Sequence, residues 1–288
     1  MKNTKLDYIK LSQAFGEFEP PSMSRFLRKG SFRKAKAMVI DMDEKVIEKI
    51  TRGRVRILTW RRLPANAFDR SFLETLRRLL LEAERESCIS CVVLESGLPD
   101  IFSSGLDLRS LAAGFSCRRE VFLAVRSVHR LIKAILKSRK IYIAALSGAV
   151  IGSAVSIAMA CDFRTASPDT WLWLPDPQYS GLMGDGTLTL ISRSCGAAAA
   201  KRICLTNERI SAEEASRMGI TGRISGTAKA AEQALLLADR VSELSAETLK
   251  NTKKIVNRDI PVKFSAWSLL RTVRDPDMMR RLENLRLL

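Results

Sequence analysis

The fold of this chain is decided by residues 143–164, which read IAALSGAVIGSAVSIAMACDFR. They continue an apolar run that begins at Ile141, and a short apolar run of this kind is typical of a buried parallel strand. Small residues around Gly148 and Gly152 then turn the chain into a helix, and DFRTA at 162–166 predicts the next strand. This order of strand, turn, helix and strand favours an α/β fold with right-handed crossovers.

The same order extends toward the N-terminus. VIEKI and VRILTW, joined by a turn at Thr51-Arg52-Gly53, predict a β-hairpin. A helix is predicted from about Ala67 to Glu86, a buried strand at 91–96, and a second helix from about Arg118 to Ser138. Beyond Thr187 almost every segment has a helical pattern. We therefore expect stacked βαβ-type units followed by a helical part.

Three regions follow from these patterns. Residues 1–37 contain Glu19-Pro20-Pro21 and a basic cluster without a sustained period, which predicts an N-terminal extension outside the core. Residues 38–225 are predicted to form the α/β core. Residues 226–288 are predicted to form a helical C-terminal region.

The positive net charge of the chain suits an anionic partner but does not identify that partner. Lys and Arg number 48 against 31 Asp and Glu, which gives a formal net charge of +17. Such a charge favours nucleic acid, a membrane surface or coenzyme A (CoA). The basic residues are dispersed along the chain, and no aromatic interleaving or nucleic-acid motif accompanies them. A nucleic-acid role is therefore disfavoured.

The cysteines and the single histidine exclude several kinds of site. Six cysteines lie in segments with core patterns, which predicts buried thiols rather than a disulfide framework. Cys88 and Cys91 have CxxC spacing, but with His129 as the sole histidine the ligands for a zinc site are missing. His129 lies on a predicted helix and is interpreted as structural, which disfavours Ser-His-Asp and Cys-His hydrolases.

The sequence also predicts where the protein works. It has no run of about 18 uninterrupted apolar residues, and the first ten residues are not followed by the apolar stretch of a secretory signal. We expect an intracellular, cytoplasmic protein without a membrane span.

Three motifs in order along the chain resemble the crotonase (enoyl-CoA hydratase/isomerase) family. Residues 102–108, FSSGLDL, resemble the family pattern F-x-[AS]-G-x-D-[LI]. Residues 143–164 resemble IAAVNGxAxGGGxxLAxxCD, and residues 205–224, LTNERISAEEASRMGITGRI, resemble LTGxxISAxEAxxxGLV. The resemblance covers about residues 46–224. It implies an α/β spiral of stacked ββα units with a helical C-terminal trimerisation region.

The resemblance implies an oxyanion hole made of two backbone N–H groups that bind the thioester oxygen of an acyl-CoA. They would come from Leu106, after the glycine of the first motif, and from Ser153, in the middle of the segment Gly152-Ser153-Ala154. Glycine turns and a helix N-terminus suit this task physically, since they expose N–H groups and add a positive dipole end. Only the N–H of each residue is required.

The acidic residues depart from the family pattern. Enoyl-CoA hydratases carry two glutamates, and the first of these positions is Ser156 here. The second falls at Leu174-Pro175-Asp176, which makes Asp176 the candidate acid/base. Asp185 lies near the place where dienoyl-CoA isomerases have an additional acid, and its alternative role is to cap the following helix. For Asp176 the alternative is a turn aspartate between prolines.

The resemblance also implies residues that contact CoA. Arg62, Ala65 and Arg109 match family positions near the adenosine and phosphate end, and Arg suits phosphate well. Ser104 and Asp107 belong to the first motif. Each arginine has the alternative of being a solvated surface residue. No cofactor is expected beyond the CoA that the substrate carries.

The function expected from these features is stabilisation of a thioester enolate on an acyl-CoA or acyl-carrier thioester. The chain has only one carboxylate, Asp176, at the two positions where enoyl-CoA hydratases have glutamates. This favours double-bond isomerisation, or a hydration that uses different acid and base groups. Two alternatives remain: a paralogue that decarboxylates or hydrolyses thioesters, and a nonenzymatic RNA- or lipid-binding protein on the same fold. The expected assembly is a homotrimer or homohexamer.

Overall fold

The computed structural model describes residues 46–107, 118–179, 185–222, 224, 229–260 and 280. The N-terminal extension, Arg109 and, in the predicted helical C-terminal region, residues 226–228, 261–279 and 281–288 lie outside the described residues. The boundaries proposed at residues 37 and 225 therefore stay predictions.

The strands form two sheets. The strands are β1 (Ile47–Arg52), β2 (Val55–Trp60), β3 (Cys91–Ser96), β4 (Ile101–Ser103), β5 (Ile141–Leu146), β6 (Ala149–Ile151), β7 (Phe163–Ala166), β8 (Trp171–Trp173) and β9 (Ile210–Ser211). The first sheet has the order β1-β2-β3-β5-β7, and the second has the order β4-β6-β8-β9. Successive strands from β3 to β8 alternate between the two sheets. Among the strand pairs of the described residues, β1–β2 and β8–β9 are antiparallel and the others are parallel.

The helices of the described residues fall between these strands and after them. They are α1 (Arg70–Arg85), α2 (Arg118–Lys137), α3 (Ser153–Ala160), α4 (Thr187–Leu205), α5 (Ala212–Arg217), α6 (Ala230–Ser242) and α7 (Ala246–Val256), with a 3₁₀ helix at Asp176–Tyr179. The units β3-β4-α2 and β5-β6-α3 each give one strand to each sheet, and β7-β8 repeats the pattern ahead of α4. This is the predicted α/β spiral of stacked ββα units.

The strands β2, β3 and β5 of the first sheet are buried on both faces, which explains the continuous apolar runs of β3 and β5. Leu58, Leu94 and Ala144 face the core that also contains the buried sides of α1, α2 and α3. The alternate residues Ile57, Val93 and Ile143 face a second cluster. The small residues Ala230, Ala234 and Ala238 of α6 close that second cluster.

Four aromatic residues support the loop that joins the hairpin to α1. The rings of Trp60 and Phe102 are 4.9 Å apart between centroids, and Phe68 stacks on Phe72 at 4.8 Å. The Trp60 indole N–H also donates to the carbonyl oxygen of Phe102 at 2.9 Å. This cluster fixes β4 against the 61–69 loop.

Several predicted boundaries need correction. The helix predicted from Ala67 begins at Arg70, because Asp69 caps it by accepting a hydrogen bond from the Phe72 N–H at 2.8 Å. The segment after β5 does not turn directly into a helix, because β6 precedes α3. The helical part after Thr187 is interrupted by β9 and is kinked at Gly196, whose φ is 81°. The hairpin, β3, β5 and β7 are confirmed.

In the described part of the chain, no helix is long and apolar enough to cross a membrane. The cytoplasmic location stays a prediction.

A buried lysine joins α7 to the sheet. Lys253 Nζ lies 2.7 Å from Asp162 Oδ2 and donates to the carbonyl oxygen of Lys140 at 2.8 Å. The ammonium group also lies 4.9 Å from the centre of the Tyr142 ring. The Lys253 side chain is 2% exposed, so water contributes little to stabilising its charge.

We expect Lys253→Met to lower the free energy of unfolding by about 3 kcal/mol or more, because it leaves the Asp162 carboxylate without its buried counter-charge. The control is Lys250→Met on the same helix, which removes a lysine that is 41% exposed and paired with Glu247. That control should cost less than about 1 kcal/mol. Urea unfolding measures both, and equal effects would contradict the assigned role of Lys253.

Candidate active site

Two glycine turns meet at the edge of the second sheet. Gly105 has a φ of +80°, and a Cβ added to it would lie 2.5 Å from the carbonyl oxygen of Ile151 and 3.1 Å from the Ser153 nitrogen. No side chain fits in that space. Glycine at position 105 therefore lets the 104–106 turn lie directly against the 152–153 turn.

The N–H of Leu106 lies on the first of these turns. Leu106 forms an isolated parallel bridge with Phe68, in which Phe68 N–H donates to Gly105 O at 2.7 Å and Asp107 N–H donates to Phe68 O at 3.0 Å. Neither hydrogen bond uses the Leu106 N–H. Within the described residues the Leu106 N–H makes no hydrogen bond.

The N–H of Ser153 lies on the second turn, at the first residue of α3. The first N–H groups of a helix have no partner inside the helix and lie at the positive end of its dipole. Gly152, which precedes it, has φ 55° and ψ −121°. Residues that carry a side chain rarely adopt this conformation. The structure thus brings the two predicted oxyanion donors to one place.

Asp176 lies beside the same turn. It begins the 3₁₀ helix that follows β8, and its Oδ2 atom is buried without a hydrogen-bond partner among the described residues. A Cβ on Gly152 would be 3.9 Å from that oxygen. Burial, with a smaller contribution from the negative charge of Asp185, raises the pKa of Asp176 to about 6.

Asp185 belongs to a buried polar network behind the turn. Asp185 Oδ1 accepts from the backbone N–H of Thr187 at 3.0 Å and lies 2.6 Å from the Thr187 hydroxyl. That hydroxyl is also 2.5 Å from Ser156 Oγ. Because one hydroxyl carries one proton, Thr187 donates to Asp185 while Ser156 donates to Thr187. Asp185 therefore holds the first residue of α4 in place. This is the helix-capping role that was considered as the alternative from the sequence.

His129 supports this network from α2. Its Nδ1 atom lies 2.8 Å from the carbonyl oxygen of Asp185. A carbonyl only accepts, so Nδ1 carries the proton. His129 positions the segment that contains Asp185, which agrees with its interpretation as structural.

The predicted CoA-contacting residues lie on adjoining loops. The Ser104 N–H donates to the carbonyl oxygen of Ala65 at 3.0 Å, so these two residues are brought together. The guanidinium of Arg62 pairs with Asp69, donates to Ala67 O and lies 3.9 Å from Asp107 Oδ2. The Arg62 guanidinium is thus already bonded to residues of this loop. Its contact with phosphate stays a prediction. Arg109 lies outside the described residues.

Asn66 is a residue of this region to which the sequence reasoning gave no role. It is fully buried with φ 52°, and its Oδ1 accepts from the Arg62 N–H at 2.7 Å. Its Nδ2 donates to Ser96 Oγ at 2.8 Å, while its carbonyl oxygen accepts from Ser103 Oγ at 2.7 Å. Asn66 thus holds the 62–69 loop on β3 and β4. Asn tolerates this left-handed backbone conformation, which was the available signal.

Across the residues that the structure describes, no group of three or more His, Cys, Asp or Glu side chains could hold a metal ion.

Comparison with known proteins identifies the family of the chain. The family model for enoyl-CoA hydratase/isomerase matches residues 51–267, which are 217 of the 288 residues. The chain belongs to this family, the crotonases.

Three relatives illustrate the similarity. A probable enoyl-CoA hydratase of Bacillus subtilis is 29% identical over 203 residues, which cover 70% of this chain and 78% of that protein. The solved structure of Pseudomonas aeruginosa DspI is 30% identical with a TM-score of 0.72, covering 77% of this chain and 84% of that one. An enoyl-CoA hydratase from Bacillus halodurans has a TM-score of 0.75 at 18% identity, covering 83% and 99%, which confirms the predicted crotonase fold.

The raised pKa of Asp176 means that the ionised carboxylate lowers the stability of the folded protein. A carboxyl whose pKa rises from 3.8 to about 6 on folding favours the folded state when protonated, so its burial becomes costly as the pH rises from 4 to 6. We expect Asp176→Asn to be more stable than the wild type by about 3 kcal/mol above pH 6, and by almost nothing near pH 4.

Urea unfolding at several pH values tests this expectation. Asp239→Asn is the control, because it removes a half-exposed carboxylate that pairs with Arg52 on the surface. A neutral-pH stability gain in both variants, or in neither, would contradict the environment assigned to Asp176.

Proposed function

We propose that this chain is an acyl-CoA enzyme that stabilises a thioester enolate with the N–H groups of Leu106 and Ser153 and transfers protons with Asp176. The preferred reaction is migration of a double bond from the 3,4 to the 2,3 position. Family membership supports the substrate class, and the meeting of the two glycine turns supports the oxyanion hole.

The observation that carries the proposal is the environment of Asp176. Its Oδ2 has no partner among the described residues, although it is buried beside the turn that presents the Ser153 N–H. A pKa near 6 suits a group that must accept a proton and return it at neutral pH. A carboxylate that served only a turn would be hydrogen-bonded or solvated.

The isomerisation needs one base and an oxyanion hole. Asp176 takes a proton from C2 of the 3-enoyl thioester, and the electron pair moves to the thioester oxygen, where the two N–H groups stabilise the negative charge. The protonated Asp176 then gives its proton to C4, and the electron pair returns to form the 2,3 double bond. One donor to such an oxygen is typically worth about 3 kcal/mol in the barrier.

Hydration would need a water molecule held by further polar groups. The family position of the first glutamate is Ser156 here, and its hydroxyl is engaged with Thr187 rather than directed to a ligand. Asp185 is the second acid considered from the sequence, but its Oδ1 already accepts two hydrogen bonds from Thr187. These contacts favour isomerisation over hydration.

The substrate brings its own CoA, and we propose no additional cofactor. Ala65, Ser104 and Asp107 lie on the loops where the CoA would bind, and Arg62 and Arg109 would supply cations near its phosphates. An acyl-carrier thioester would present the same thioester and pantetheine arm to the site.

We also propose a homotrimer or a dimer of trimers. Large apolar side chains are exposed on α4, α6 and α7, namely Leu205, Leu236, Ile255 and Val256. Exposed apolar side chains of this kind support burial against another subunit.

We expect Asp176→Asn to lower the rate of 3-enoyl-CoA to 2-enoyl-CoA migration by about 100-fold or more, since the amide cannot accept the proton. The affinity for acyl-CoA should change little, because only the transition state uses the base. Stopped-flow absorbance of the conjugated product and calorimetric binding measure the two quantities.

Asp239→Asn is again the matched control and should retain full turnover. Full isomerase activity in Asp176→Asn would contradict the assignment and direct the test to Asp185→Asn. Efficient hydration of crotonyl-CoA by the wild type, without double-bond migration, would contradict the choice of reaction.

A further inference from the structure

The side chain of Ser153 is buried at the candidate site without a partner. Its residue is 8% exposed, and its Oγ has no hydrogen-bond partner among the described residues. This oxygen would lie 3.3 Å from a Cβ on Gly105, and the Ser153 nitrogen would lie 3.1 Å from the same point. The hydroxyl and the backbone N–H of Ser153 therefore both border the turn that carries the Leu106 N–H.

A buried hydroxyl without a partner is unfavourable, and most buried serines among the described residues avoid it. Ser103 Oγ donates to Asn66 O at 2.7 Å, and Ser127 Oγ donates to Leu123 O at 2.9 Å. Neither the start of α3 nor the packing of the turns requires a hydroxyl at position 153, since the family pattern has glycine there. A polar group left unpaired at a site that accepts ligands calls for a ligand atom as its partner.

We propose that the Ser153 hydroxyl donates a third hydrogen bond to the substrate's thioester oxygen, beside the N–H groups of Leu106 and Ser153. The inference rests on the proposed function and adds a residue whose side chain touches the reacting group. The negative charge on that oxygen grows as the enolate forms, so the hydrogen bond strengthens in the transition state.

The ligand atom proposed for the hydroxyl differs from the one proposed for Asp176. The Ser153 hydroxyl oxygen would lie 3.3 Å from a Cβ on Gly105, the residue before the Leu106 N–H. We therefore assign the hydroxyl to the thioester oxygen, which that N–H also binds, and Asp176 to the adjacent carbon.

The test is the infrared carbonyl band of bound butyryl-CoA labelled with ¹³C at the thioester carbon. A donor that is removed from the oxygen leaves a stronger C=O bond, so the band in Ser153→Ala should lie at higher wavenumber than in the wild type. The rate of double-bond migration should fall about 10-fold to 100-fold, with a smaller change in acyl-CoA affinity. Ser153→Gly keeps the N–H and should match Ser153→Ala.

Ser90→Ala is the matched control, because Ser90 is also a buried serine whose Oγ has no partner in the described chain. It precedes β3, where its N–H donates to Arg54 O at 2.8 Å, and it takes no part in the site. Its carbonyl band and turnover should equal those of the wild type. This comparison separates the loss of a buried hydroxyl in general from the loss of this one.

Three results would overturn the inference. If Ser153→Ala leaves both the band and the rate unchanged while the wild type polarises the carbonyl, the hydroxyl has no such role and the proposed function stands. A covalent acyl group found on Ser153 by mass spectrometry would make the serine a nucleophile instead. If the wild type does not shift the carbonyl band from its position in free butyryl-CoA, the oxyanion hole fails, and the inference fails with it.

Discussion

The close approach of the Gly105 turn to the Gly152–Ser153 turn is the constraint on which the rest of the site depends. The two turns come from successive ββα units, after β4 and β6, and the parallel pairing of those strands places them side by side. A single methyl group on Gly105 would meet the carbonyl oxygen of Ile151 at 2.5 Å. Because this space is left empty, two turns from distant parts of the sequence come close enough to form the proposed oxyanion hole.

The polar groups around this point are arranged at a cost to stability. Asp176 is buried with its charge opposed by Asp185, and Ser153 presents a hydroxyl without a protein partner. Natural proteins retain such unfavourable features mainly where they serve a function. The neighbouring residues Ser156, Thr187 and Asp185 are by contrast hydrogen-bonded to one another.

The sequence was sufficient to predict the elements whose apolar pattern is long. The hairpin, β3 and β5 read as strands because their residues are almost all apolar or alternate. The first two motifs contain Leu106 and Ser153, and the fold brings their glycine turns into contact. The catalytic roles of these residues and of Asp176 stay predictions. The second sheet was missed because β4, β6, β8 and β9 are two or three residues long, too short for a period to be recognised.

The finer features of the site depend on contacts between distant segments, which a linear pattern does not contain. Asn66 holds its loop through bonds to residues 30 and 36 positions away. The missing partner of the Ser153 hydroxyl is likewise visible only when its surroundings are known. The resemblance to the family gives a role only to the backbone N–H of Ser153. The role proposed for its side chain depends on the contact between Ser153 and Gly105 in the folded protein.

The central claim is that a carboxylate with a raised pKa moves a proton at the α-carbon of a thioester whose oxygen is held by the two turns. It is tested most directly by exchange of the α-protons of butyryl-CoA in deuterated water, followed by mass spectrometry over a range of pH. The account predicts exchange that rises with pH through about 6 and then levels off, because only the ionised Asp176 accepts a proton. Exchange that is absent, or that proceeds unchanged in Asp176→Asn, would contradict it.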